Sequence, residues 1–141
     1  MQDKKDTIKG KSTNNYLSLT GTTVFNKLLV PDNFEGVERY TLTINLDKDG
    51  KKVAEKNGLK TFGYKDQTQI TAKRKVEYGL PKVYNADKEE TNATHLSVFG
   101  DQVTMLVKQG KQERNNAYTY LERVRVDEKA EGVADYDYSE F

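Results

Sequence analysis

A chain of 141 residues has the length of one domain, or of one domain with tails. Apolar residues, counted with glycine and without tyrosine, make up 35% of it against roughly 45–50% in an ordinary globular domain. The core must be thin, although a net charge of only +1 still lets the chain fold. The absence of cysteine excludes disulfide frameworks and thiolate metal sites. No apolar run follows the charged N-terminus, and none approaches the roughly 18 residues of a membrane helix, so a soluble cytoplasmic protein with no membrane partner is expected.

Residues 1–13 are polar, mixed in charge and read as a mobile arm. Alternation begins at 16–20, resumes at 23–30 after Gly21 and stops at Pro31. The cleanest strand is 38–46, with Tyr40, Leu42, Ile44 and Leu46 on one face and Arg39, Thr41, Thr43 and Asn45 on the other. A turn at 47–50 leads into one or two helical turns at 51–57, which Gly58 ends. A second long strand, 69–78, sets Ile70, Ala72, Arg74, Val76 and Tyr78 opposite Lys73, Lys75 and Glu77; Gly79 and Pro81 break it. After a polar loop at 85–95, strands at 96–99, 103–108 and 118–126 complete a set of five or six. Short strands closed by Gly and Pro turns, with one small helix, predict an all-β, OB-fold-like five- to six-stranded barrel over residues 14–126.

Near-neutrality hides an asymmetry. Residues 127–141 carry six acids against Lys129 alone, a charge of −5, and residues 1–126 carry +6. The segment reads as a disordered acidic tail, yet it holds Tyr136, Tyr138 and a final Phe141. Two readings stay open. One is a solubility tail with stray aromatics; the other is a peptide that proteins, or the basic body itself, recognise through charge plus a terminal ring.

Catalytic patterns are weak. His95 is the single histidine and sits in a polar loop, which removes most zinc and Ser/His/Asp arrangements. Asn45-x-Asp47-x-Asp49-Gly50 copies the first half of an EF-hand loop, but the position that needs a carboxylate is Lys56. With no glycine-rich phosphate loop either, neither an enzyme nor a cofactor is expected.

Nucleic acid is better supported. Lys73, Arg74 and Lys75 lie within a strand flanked by Phe62, Tyr64, Tyr78 and Tyr84, and single-strand binding requires rings to stack on bases beside cations that follow phosphates. Arg39 and Lys82 add charge nearby, and Arg123 and Arg125 share one face of the last strand. The competing reading for each cation is a solvated face, and for each ring a place in the core.

The closing segment from Asp135 through Tyr136, Asp137, Tyr138 and Glu140 to Phe141, the glycine-led strand 100–107 and the strand 121–126 together resemble the replication single-stranded DNA-binding proteins of tailed bacteriophages. The chain departs from them in lacking tryptophan and in a less densely acidic tail. The resemblance implies an OB-fold, single-stranded DNA bound with little sequence preference, and a tail that contacts replication proteins such as polymerase or helicase. It allows a homodimer, and places a phage-encoded protein in the host cytoplasm. The alternative is a protein-interaction or virion-associated barrel that binds no nucleic acid.

Overall fold

A computed structural model describes residues 16–97, 99–113 and 116–130. The arm expected over 1–13 lies outside the described residues, as do tail positions Asp135, Tyr136, Asp137, Tyr138, Glu140 and Phe141.

The two N-terminal segments are one strand, β1, Tyr16–Phe34. Gly21 does not break it, because the neighbouring strand crosses there: a Cβ at Gly21 would stand 2.0 Å from the Asn45 carbonyl oxygen. Pro31 is tolerated because it falls in a register shift between Lys27 and Asp32, where no ladder N–H is required. Glu35 and Gly36, both at positive φ, form a two-residue hairpin turn into β2, Val37–Leu46. Helix α1, Lys48–Lys56, begins one turn earlier than expected. Asp47 caps it, accepting the Gly50 N–H at 2.7 Å and the Thr20 hydroxyl at 2.6 Å, so the EF-hand-like run is a helix start. Asp47→Ala is expected to lower stability by about 1 kcal/mol, read as a shifted urea midpoint at unchanged slope.

Lys65 and Asp66, also at positive φ, join β3, Phe62–Tyr64, to β4, Gln67–Lys75. The strand expected to reach Tyr78 ends at Lys75, and Val76–Tyr78 form a 3₁₀ turn. Strand β5, Lys82–Tyr84, precedes a second 3₁₀ turn, Ala93–His95. Of the strand expected at 96–99, the described residues Leu96, Ser97 and Phe99 form none; the Ser97 N–H is drawn at 2.7 Å to the buried Asp101 carboxylate instead of to a ladder partner. Strands β6, Gln102–Glu113, and β7, Asn116–Glu128, complete the fold.

The barrel closes in the order β1-β2-β4-β7-β6, with a parallel pairing of β4 and β7 at Ala72↔Thr119 and Lys73↔Tyr120 as the seam. Strands β3 and β5 extend this ring of five, making seven among the described residues. The expected OB-fold-like barrel is therefore present. Leu19, Leu42, Ile44, Ile70, Met105, Val107, Leu121 and Val124 fill it. Followed strand to strand, the register runs from Lys27 to Thr41, Lys73, Tyr120, Lys108 and back to β1 at Tyr16, far upstream of where it left. Such a large stagger means steeply tilted strands.

Strand β7 continues to Glu128, two residues past the point where the composition turns acidic. Beyond it the Ala130 N–H reaches Asp101 at 2.7 Å, and the Lys129 ammonium lies 3.6 Å from the same carboxylate while donating to the His95 carbonyl and the Ser97 hydroxyl. Among the described residues no helix is long and apolar enough to cross a membrane.

Candidate nucleic-acid interface

Residues directly opposite in an antiparallel pair share a face of the sheet. Pairing of β2 with β4 sets Arg39 beside Lys75 and Thr41 beside Lys73. Ile70 and Ala72 fill the alternate positions of β4 and are buried, so the cations point outward. The seam then brings Tyr120 beside Lys73, and β6 brings Lys108 beside Tyr120. The result is an open groove of about 770 Å³ lined by Arg39, Lys73, Arg74, Lys75, Tyr78, Lys108, Tyr120, Leu121 and Glu122. Its lining carries five cations against one carboxylate. Tyr78 and Tyr120 are 62% and 48% exposed, rings held open to solvent beside charge.

Arg74 differs from its neighbours. The guanidinium donates to the carbonyls of Gly79 at 2.7 Å, Tyr78 at 3.0 Å and Leu121 at 3.3 Å, and lies 3.7 Å from Glu122. It ties the end of β4 to the 3₁₀ turn and to β7, which holds Tyr78 over the groove. Further along the same outer face, Thr43 bonds Thr71 at 2.7 Å and Gln69 bonds Asn45 at 2.9 Å, making a polar floor. At its far end β3 pairs Phe62 with Gln69 and Tyr64 with Gln67. Both rings are exposed, and the Lys65 ammonium stands 5.4 Å from the Tyr64 ring centre.

Of the residues singled out in the sequence, Arg39, Lys73, Arg74, Lys75 and Tyr78 therefore meet in one groove, and Phe62 and Tyr64 lie on the same outer face of β4. Lys82, Tyr84, Arg123 and Arg125 do not join them. They belong to the β5–β7 pair, where Tyr84, Arg123 and Arg125 border a smaller depression of about 220 Å³. There Arg123 stacks 5.9 Å from the Tyr84 ring centre, and Arg125 is held by Asp127 at 2.5 Å. Two groove residues, Lys108 and Tyr120, carry no local signal; only the alternation of β6 and β7 could have marked them as outward-facing.

Solved structures place this architecture. The single-stranded DNA-binding protein from bacteriophage Enc34 superposes with a TM-score of 0.63 at 16% identity, over 93% of this chain and 94% of that one. The gp2.5 single-stranded DNA-binding protein encoded by bacteriophage T7 superposes with a TM-score of 0.66 at 12% identity, over 89% of this chain and 98% of that one. This chain has their fold. No family model matches it, and no curated protein matches it significantly in sequence. At these identities the similarity is one of backbone.

Proposed function

We propose that the protein is a non-enzymatic single-stranded DNA-binding protein of phage replication and recombination, taking the strand in the β2–β4–β7 groove with little sequence preference. The observation that carries this reading is the groove itself, where half-open tyrosine rings sit among an excess of cations on the outer face of an OB-type barrel. Stacking and phosphate contacts are available to every base, which is why sequence preference should be slight. Fluorescence anisotropy with labelled oligothymidylate, a mixed-sequence strand and a duplex of equal length tests it. The two single strands should bind alike and both tighter than the duplex; equal or tighter duplex binding contradicts the reading.

The acidic residues Glu131, Asp135, Asp137 and Glu140, with Tyr136, Tyr138 and Phe141, fit a peptide that recruits a polymerase or helicase and competes with DNA for the groove. Because Lys129 and Ala130 are tied to Asp101, the informative truncation ends at Ala130 and not at Val126. That truncated chain should bind oligothymidylate several-fold tighter than the full chain at low salt. The advantage should fade once the screening length falls below about 8 Å. Equal affinity at low salt contradicts groove competition.

A second reading, a protein-interaction barrel, is favoured by one feature. Phe25, Leu29, Val30 and Phe99 are all more than half exposed, Val30 at 75%. The duplex and single-strand titrations separate the two, since a barrel that only docks proteins should bind neither.

A further inference from the structure

The row of cross-strand neighbours that crosses the groove does not stop at its wall. Lys73 neighbours Tyr120, Tyr120 neighbours Lys108, and Lys108 neighbours Tyr16 at the start of β1. Rings and ammonium groups therefore alternate along one line, and the outermost ring, Tyr16, is 46% exposed. We propose that Tyr16 is a base-stacking platform, the last rung of a Lys73–Tyr120–Lys108–Tyr16 ladder that carries the single strand out of the groove and along the barrel. The proposal rests on the single-strand reading given above.

Three physical points carry it. Directly opposite residues lie on the same face, so all four side chains stand on the outside of the barrel. The tilt of the strands decides whether they also stand on the same side of it. In an untilted barrel a row of neighbours encircles the axis, but with the stagger that brings Lys27 round to Tyr16 the row runs more along the axis than around it. Tyr16, Lys108 and Tyr120 then look out over one stretch of surface. Adjacent strands are about 4.8 Å apart, which sets the two rings about 10 Å from each other with an ammonium midway. That spacing leaves room for bases splayed onto separate rings and for the phosphates that join them to meet Lys108.

The bland alternative is that Tyr16 is only a strand-end residue resting its ring on β6. Its exposure makes it replaceable without opening the core, since the buried positions on this part of β1 begin at Leu19. The alternatives separate by oligonucleotide length. Oligothymidylates of about 6 and about 15 nucleotides lie near the short and long ends of the lengths an OB-fold accommodates. Anisotropy titrations of the full chain with both should show Tyr120→Ala weakening both. Tyr16→Ala should weaken the longer one about tenfold and leave the shorter within about twofold. Tyr16→Phe should bind as the unaltered protein does, and Tyr16→Leu, which keeps apolar bulk but no ring, should behave as Tyr16→Ala. Equal binding of the long strand by Tyr16→Ala and the unaltered protein, or full rescue by leucine, overturns the ladder and leaves the groove standing. An unaltered protein that binds neither strand overturns both.

Discussion

Replacing Arg39, Lys73 and Lys75 together with alanine should flatten the salt dependence of single-strand binding by about two in the slope of log affinity against log salt. Each phosphate neutralised on a single strand releases about 0.7 of a counterion, so three lost contacts remove about 2. Over a fourfold rise in salt, the variant should therefore lose about 20-fold less affinity than the unaltered protein does. The three positions form one outward patch across β2 and β4, with Arg39 and Lys75 directly opposite each other. Arg39 and Lys75, like charges directly opposite each other, repel, so losing that pair should not itself lower the melting temperature. Arg74 is left out deliberately, because its donors already hold three carbonyls and its loss would move Tyr78 as well as the charge. An unchanged slope would place the phosphates elsewhere.

Asp101→Ala should lower the unfolding free energy by about 3 kcal/mol, a large share of the roughly 5–15 kcal/mol of a small domain. Asp101 is fully buried and accepts the N–H groups of Ser97 and Ala130, both at 2.7 Å. Removing the carboxylate strands these donors and leaves the Lys129 ammonium beside an empty site. Lys129 is a third exposed and can turn to water, so the ion pair supplies the smaller part. Asp101→Asn keeps one acceptor oxygen and should cost less than alanine. Urea unfolding followed by tyrosine fluorescence measures both; a change under about 0.5 kcal/mol for alanine, the range of ordinary surface substitutions, would show that the latch is dispensable.

Much of the barrel was legible because a half-buried strand must alternate. Leu42, Ile44 and Leu46 are buried as the period of two requires. The failures have a common cause in contacts distant in sequence. Gly21 looks like a break until Asn45 is seen crossing over it, and Pro31 looks like a stop until the register shift is known. Val76 and Tyr78 continue the alternation of β4, but the guanidinium of Arg74 captures the carbonyls of Tyr78 and Gly79 and turns the chain. Strands β3 and β5 have three residues each, too few for any period to register.

The groove was half legible for the same reason. Arg39 reaches Lys75 by ordinary hairpin-like pairing of two recognisable strands, and Lys73, Lys75 and Tyr78 are neighbours in the chain. Tyr120 and Lys108 arrive through the parallel seam and the β6–β7 register, which no local pattern encodes. The same closure carries Arg123 and Arg125 past the groove to a separate depression beside Tyr84, although in sequence they looked equivalent to the other cations.

The most direct measurement is photocrosslinking of an oligothymidylate substituted with 5-iodouracil, followed by mass spectrometry of the crosslinked peptides. Crosslinks at Tyr120 and Tyr78, lost at high salt, are the expected result. Crosslinks confined to Tyr84 or Phe99, or none under conditions where the protein binds, would contradict the assignment of the β2–β4–β7 face.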